Sequence, residues 1–199
     1  MDEADFVIEW DGPDDRLVAI EPTPEEVARH APELAIAYNH PANAVLMGHT
    51  EPLSEEDIID HYAEMEEDGA HQFLLFRDGA FVGDADLRGF RDRSAEFAFM
   101  IAAPSAQGKG LGTRFALMVH ALGFRHLGLE RIYASVVPEN VASRRVFEKL
   151  GYMTDDAPAA RAYADEPGDV VLVIDRATFE TRHAAALAQL RITRHDRGT

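Results

Sequence analysis

Gly108, Gly110 and Gly112 stand at alternate positions around Lys109 in the stretch AQGKGLGTRF. A loop with so little side-chain bulk lets backbone N–H groups come close to a ligand. The apolar run at 97–102 before it and the helical spacing of Leu111, Phe115, Val119 and Leu122 after it set the loop between a strand and a helix N-terminus. N–H groups gathered at the positive end of a helix dipole hold an anion such as a phosphate. The spacing excludes two kinds of phosphate loop. Gly-x-Gly-x-Gly is not the G-x-G-x-x-G of dinucleotide sites, and Lys109 is not followed by Ser or Thr as in a Walker loop. On these grounds alone a plain tight turn accounts for the glycines equally well.

Other chemistry is bounded by what the chain contains. There is no cysteine, so thiolate nucleophiles, disulfides and cysteine-ligated zinc are excluded. His120 and His126 lie six apart, not a metal-ligand spacing on a helix, and no metal is expected. With 19 Lys and Arg against 36 Asp and Glu, the net charge of −17 disfavours nucleic acid as a partner. It suits a cationic partner, or else serves only to solvate a chain whose two lysines are Lys109 and Lys149. The opening MDEADFVIEW has no basic, then apolar, export pattern, and no run approaches the roughly 20 apolar residues of a membrane span. A cytoplasmic protein with no membrane partner is the expectation.

Along the chain, helices come first. Thr23, Pro24 and Glu26 form an N-terminal helix signal, with Pro32 expected to break or kink the helix beyond it. Ser54 and Asp57 repeat the signal, with Leu53 able to pack on Ile58 and with Ile58, Tyr62 and Met65 on one face. Strands come next. HQFLLF and FVGDADLRGF flank Asp78-Gly79, a dipeptide suited to a tight hairpin. EFAFMIA leads into the glycine loop, whose helix is expected to end near Gly128. RIYASVV is stopped by Pro138, NVASRRVFEKLGY forms a helix with Ala142, Val146, Phe147 and Leu150 inward and Gly151 as its cap, and DVVLVI supplies a late strand. Residues 1–15 read as an acidic extension, 16–176 as one domain, and 177–199 as a C-terminal helix and polar tail with ends expected to be disordered. Phe6 and Trp10 suit either an added edge strand or a partner-binding segment.

Gln107-Gly108-Lys109-Gly110-Leu111-Gly112 resembles the Q/R-x-x-G-x-G/A motif of the GNAT superfamily of N-acetyltransferases, and it falls between a strand and a helix as that motif does. VPENVASRRVFEKLGY, about 25 residues on, resembles the superfamily's second signature, in the form found in the RimJ/RimL-like branch. The likeness covers roughly 16–176, with the specific motifs between Glu96 and Tyr152.

The resemblance implies an α/β (α+β) acyl-CoA N-acyltransferase fold, a mixed, mostly antiparallel sheet of six or seven strands flanked by helices. It implies acetyl-CoA as cosubstrate and transfer of acetyl to a primary amine by direct attack on the thioester. Backbone of Gln107, Gly108, Lys109, Gly110, Leu111, Gly112 and Thr113 would clasp the pyrophosphate. Pantetheine would lie against Met100, Ile101 and Ala102 where two strands splay, Asn140 would bond its arm, and Arg144 or Arg114 would meet a phosphate. The usual catalytic acid is a tyrosine at the position of Phe147 here. Ser143 is the substitute favoured by the branch resemblance, against the alternative of a serine bonded to its own helix, with Tyr152 a further candidate. Glu96 is the preferred base, with Asp84 and Asp86 competing and all three also readable as solvent-facing strand carboxylates.

The resemblance implies an amine acceptor, a small molecule or a protein N-terminus, and sets the helices around 51–70 beside its entrance; since that stretch lacks Lys and Arg, a cationic acceptor is expected. The chain is expected to be a monomer or homodimer. Two other classes stay open: a non-catalytic acyl-CoA-binding module, suggested by Phe147, and a nucleotide-binding protein, disfavoured by the loop spacing.

Overall fold

The computed structural model describes residues 4–46, 51–102 and 110–196. Strands β1 (Ala4–Asp11) and β2 (Arg16–Ile20) come first, then helices α1 (Pro24–Tyr38), α2 (Pro41–Leu46) and α3 (Glu55–Glu67). Three strands come after them, β3 (His71–Arg77), β4 (Ala80–Arg91) and β5 (Ser94–Ile101). The chain then alternates through α4 (Leu111–Arg125), β6 (Arg131–Val136), α5 (Val141–Leu150), β7 (Met153–Thr154), α6 (Pro158–Arg161), β8 (Val170–Asp175), α7 (Arg176–Leu187) and β9 (Leu190–Asp196).

Local chemistry explains the helix starts. Thr23 caps α1 and Ser54 caps α3, each with a reciprocal bond from the third helical residue, Glu26 or Asp57. Asp78 and Gly79 take positive φ between β3 and β4, as a tight hairpin requires. Gly151 ends α5 in the left-handed region. Pro32 does not break α1. It sits inside a 15-residue helix whose Ala31, Leu34 and Ala35 are buried against Ile58 and Tyr62 of α3, and that packing offsets the missing backbone bond. Ala142, expected inward on α5, is exposed, whereas Phe147 and Leu150 are buried.

The sheet runs β7-β8-β6-β5-β4-β3-β2-β1-β9, so among the described residues it has nine strands rather than six or seven. The difference lies largely at the chain ends. Residues of β1 pair with β2 on one side and with β9 on the other, Ala4 opposite Asp196 and Trp10 opposite Leu190. The stretches read as an acidic lead-in and a polar tail therefore pair with each other. Glu9 holds the arrangement by ion pairs to Arg16 of β2 and to Arg191 of β9 (2.7 Å).

Helices cover both faces. On one, α4 packs with Leu87, Ala95, Phe97 and Ile132 in the main core; on the other, α1 and α3 pack over Leu74 in a second apolar cluster. Period-2 alternation along β4 consequently sends Ala85 and Leu87 toward α4, and Asp84, Asp86 and Arg88 toward the face that carries α1 and α3. No described helix is long and apolar enough to cross a membrane.

Candidate active site

All neighbouring strands pair antiparallel except β5 and β6. Their parallel ladder covers Ser94↔Arg131, Ala95↔Ile132 and Glu96↔Tyr133 and then stops, although β5 runs on to Ile101 and β6 to Val136. The strands part there, leaving a wedge whose apex is Glu96 and Tyr133. An extended ligand laid in such a wedge can bond strand backbone as an added strand would.

Helix α4 starts beyond the open end of β5. Gly110 is its N-cap at φ +81°, a left-handed conformation that favours glycine, and no side chain caps the helix. The N–H groups of Leu111, Gly112 and Thr113 precede the first bond of the helix, Arg114 N–H to the Gly110 carbonyl (3.1 Å). Gly112 has a different requirement. A Cβ there would fall 2.9 Å from Cε2 of Phe99, so the missing side chain lets the first turn of α4 lie on β5. Among the described residues, then, the two glycines serve separate ends: one a backbone turn, the other close packing.

Helix α5 starts with Asn140, whose Oδ1 accepts the Ser143 N–H at 3.0 Å. This bond commits the oxygen of Asn140 and leaves its amide N–H groups as the donors for a ligand. Ser143 is half-buried, and its hydroxyl takes no partner among the described residues. Arg144 Nε is buried and unpaired. Arg114 is engaged elsewhere, 2.7 Å from Asp15 Oδ1 and with its guanidinium 5.0 Å from the Trp10 ring centroid. Phe147 lies in an aromatic cluster with Phe97, Phe99 and Tyr152. The Tyr152 hydroxyl meets His120 Nε2, and His120 Nδ1 meets the Ala116 carbonyl at 2.6 Å, so Nδ1 carries the proton and Tyr152 donates. Burial holds the His120 pKa down at about 3 and raises that of Tyr152.

The face of β4 and β5 toward α1 and α3 carries three carboxylates, Asp84, Asp86 and Glu96, and one guanidinium, Arg88. Glu96 accepts Arg88 Nε at 3.2 Å and Nη2 at 3.1 Å, and Arg88 also reaches Asp165 at 3.3 Å and approaches Asp86 at 3.8 Å. Burial raises the Glu96 pKa while Arg88 pulls it down. Asp84 Oδ2 accepts the hydroxyls of Tyr38 (2.8 Å) and Tyr62 (3.0 Å), yet burial dominates and lifts its pKa to about 6. Burial likewise lifts Asp86 to about 7, against the pull of Arg88. One oxygen of each aspartate, Oδ1, is buried without a hydrogen-bond partner. These side chains are not a solvated strand face.

Of the residues picked out in the sequence, Glu96, Met100, Ile101, Leu111, Gly112, Thr113, Ser143 and Arg144 fall on β5 or on the helices α4 and α5, Gly110 and Asn140 are the N-caps of those helices, and Ala102 directly follows β5. Gln107, Gly108 and Lys109 lie outside the described residues. Tyr38, Tyr62, Arg88 and Asp165 were not foreseen. Only Tyr62 carried a signal, its place on the buried face of α3.

The chain belongs to the acetyltransferase (GNAT) domain family, whose model matches residues 14–153. It is 35% identical over 86 residues to spermidine N(1)-acetyltransferase of Escherichia coli K12, a stretch that is 42% of this chain and 46% of that protein. It is 37% identical over 78 residues to human alpha/beta-tubulin-N-acetyltransferase 9, 38% of each chain. The matches thus span less than half the length of either relative. Among solved structures it resembles Mycobacterium smegmatis RimJ in complex with CoA-disulfide, with a TM-score of 0.70 at 19% identity over 94% of this chain and 96% of that one. Aminoglycoside acetyltransferase AAC(6')-Ib in complex with coenzyme A gives 0.69 at 18% identity, over 83% and 98%. At these identities the likeness is one of fold.

Proposed function

We propose that the chain is an acetyl-CoA-dependent N-acetyltransferase acting on a primary amine. The observation that carries this reading is the wedge at Glu96↔Tyr133, with the uncapped N-terminus of α4 beyond its open strand and a carboxylate at its apex. The residues present fit the cosubstrate in part: N–H groups at 111–113 and the unpaired Arg144 Nε suit a pyrophosphate, and the strand backbone at Ile101 with the Asn140 amide suits an extended amide-bearing arm, whereas Ala102 gives its N–H to the Val82 carbonyl (2.8 Å) and Met100, in the same phase of the ladder, also faces β4. Gln107, Gly108 and Lys109 complete the clasp in this reading. Bound acetyl-CoA supplies the activated acetyl group as a thioester.

The chain's own part is positioning and proton traffic. Glu96, buried at the apex, takes a proton from the ammonium form of the acceptor, directly or through one water, and its burial favours holding that proton. Ser143, whose backbone N–H is held by the Asn140 cap in the first turn of α5, donates its Oγ–H toward the departing sulfur. Burying Glu96 beside Arg88 keeps the carboxylate oriented without a covalent intermediate. The acceptor is a cationic small amine or a protein N-terminus, drawn in by the acidic exposed side of α3.

The second reading, a non-catalytic acyl-CoA-binding module, draws on Phe147 and on Tyr152, whose hydroxyl is spent on His120. Thiol release from acetyl-CoA with an amine panel, read by mass spectrometry, separates the two. Acetylated product supports the enzyme. Acetyl-CoA binding by calorimetry with no product from any amine supports the module.

A further inference from the structure

The segment 162–169, between α6 and β8, lies on the sheet face that carries Glu96 and is fastened to the strands on either side of β5. On the β6 side the Tyr163 ring stacks on Tyr133, the apex residue of the wedge, at 4.3 Å between centroids and 10° between planes. The Asp165 N–H donates to Ser135 Oγ at 3.0 Å, and the Ser135 hydroxyl donates in turn to the buried Asp169 carboxylate at 2.7 Å. On the β4 side Arg91 lies 4.0 Å over the Tyr163 ring and donates to the Ala162 carbonyl at 2.6 Å. These contacts set both Asp165 oxygens 3.3 Å from Arg88 Nη2, the nitrogen that also reaches Glu96 at 3.1 Å. An ion pair to a side chain that is 55% exposed is ordinarily worth little. Here, however, the backbone of Asp165 is anchored by Ser135, and the guanidinium it meets is already bonded to the candidate base. Every Arg88 contact is longer than the roughly 2.7–2.9 Å of a closed guanidinium–carboxylate bond, so the cation is shared among Glu96, Asp165 and, at 3.8 Å, Asp86. Holding the segment down explains the ring stack and the Ser135 bond. It does not call for a carboxylate on Arg88.

We propose that Asp165 is a positioning residue for Glu96: it draws Arg88 Nη2 outward, so that the guanidinium orients the base without closing on it. The inference rests on the acetyltransferase reading for the role of Glu96. A guanidinium closed on Glu96 would fix the carboxylate but stabilise its charged form and weaken it as an acceptor of the amine proton. Without any guanidinium the carboxylate would be buried and unoriented. Sharing Arg88 with a second carboxylate sets the base between these limits. The charged and titratable groups around Glu96 are Arg88 and Asp86 on β4, Asp165, and Tyr152 beyond α5, while α1 and α3 bring Tyr38, His61 and Tyr62 to Asp84 and Asp86 on the same face. Burial raises the Glu96 pKa most, Arg88 and the Ser135 N–H lower it, and Asp165 raises it. Asp165 can be altered without opening the core, and asparagine in its place keeps its N–H on Ser135.

Carbon-13 NMR of the side-chain carboxyls of the full chain, titrated from pH 3 to 9 with neither acetyl-CoA nor an acceptor, tests the proposal. The Glu96 signal is the one lost in Glu96→Gln. The expected result is that Asp165→Asn lowers the Glu96 midpoint by about 0.5 pH unit or more, opposite in sign to Arg88→Gln, because an outward pull and a nearby negative charge are both removed. Asp165→Glu, which restores a carboxylate, should return at least half of the shift. Glu166→Gln makes the same change of charge one residue along, on an exposed side chain, and should move the midpoint by less than about 0.2 unit. An Asp165→Asn midpoint that is unchanged or higher overturns the proposal. A Glu166→Gln shift as large as that of Asp165→Asn also overturns it, by assigning the effect to the acidic surface as a whole. Asp165→Ala carries the same expectation and replaces the asparagine variant if that chain does not fold. Because no turnover is involved, failure of the acetyltransferase reading would appear elsewhere, as lost acetyl-CoA binding or absent product with the Glu96 midpoint still responding to Asp165.

Discussion

Arg88 and Glu96 face each other across the β4–β5 ladder in a two-point contact, Nε to Oε2 at 3.2 Å and Nη2 to Oε1 at 3.1 Å. Burial raises the pKa of this carboxylate and the guanidinium lowers it. If Glu96 takes the amine proton, removing Arg88 takes away its main downward influence, and the acidic limb of the pH profile of kcat/KM should move to higher pH in Arg88→Gln. Glu96→Gln should lose that limb and fall about 10²–10⁴-fold in kcat at neutral pH, the usual size of a general-base contribution. Rates measured from pH 5 to 9 check both. An Arg88→Gln profile that does not move would assign the base elsewhere, and Asp86, with its own raised pKa, is the next residue to test.

Ser143 is placed by the cap of α5 and keeps its hydroxyl unspent. Ser143→Ala should therefore lower kcat at least tenfold while changing acetyl-CoA affinity less than threefold, since a bond to the sulfur strengthens only as negative charge develops on it. Ser143→Thr, which restores a hydroxyl, should recover part of the rate. Steady-state kinetics beside calorimetry gives the split, and a wild-type kcat in the alanine chain rejects the assignment.

How legible was this in the amino-acid sequence? The parts fixed by neighbours a few residues apart were readable: the Thr23–Glu26 and Ser54–Asp57 capping boxes, the Asp78-Gly79 hairpin, the strand, loop and helix around Gly110. The family resemblance rests on that same region and the α5 signature, whereas the family model matches residues 14–153. What escaped was set by distant residues. Tyr38 and Asp84 are 46 positions apart, and a strand aspartate between apolar neighbours reads as solvent-facing until α1 and α3 are known to cover it. The β1–β9 pairing joins positions 180 or more apart, so nothing local in the polar ends shows it. Even the glycine motif was only half understood, because Gly112 needs Phe99 beside it to explain its missing Cβ.

That division predicts different losses at two nearby glycines, binding at one and stability at the other. Gly110 has nothing within 4 Å of where a Cβ would stand, and aspartate tolerates a left-handed φ better than most residues. Gly110→Asp should thus fold with a cost of about 1 kcal/mol and lose acetyl-CoA binding by at least 100-fold, through a negative charge beside the proposed phosphate site. Gly112→Ala should instead destabilise the chain by about 1–3 kcal/mol, since Phe99 must shift away from the new methyl group. Urea denaturation and acetyl-CoA calorimetry on both variants read the two effects. Unchanged affinity in a folded Gly110→Asp chain would remove the loop from the binding site.

Stability against pH should carry the mark of His120. Its pKa is about 3 in the folded chain against an ordinary value of 6.5, because burial penalises the imidazolium. Above pH 6.5 both the folded and unfolded chains hold it neutral and it contributes nothing to the slope. As pH falls from 6.5 toward 3 the unfolded chain takes the proton first, and folded-state stability is lost at about 1.4 kcal/mol per pH unit. Asp84 and Asp86 act the other way. Their folded values, about 6 and about 7, lie above the ordinary 3.8, so each destabilises the fold most at neutral pH and relieves that cost as pH falls toward 4. The wild-type curve mixes these contributions, but a double variant isolates one. His120→Leu with Tyr152→Phe removes both members of the buried pair and leaves no polar atom of it behind. Relative to wild type, its unfolding free energy should rise by about 1.4 kcal/mol for each pH unit between 6 and 4, whatever its offset at pH 7. Urea unfolding at four pH values measures this slope, and parallel curves would mean that His120 titrates alike in the folded and unfolded chains.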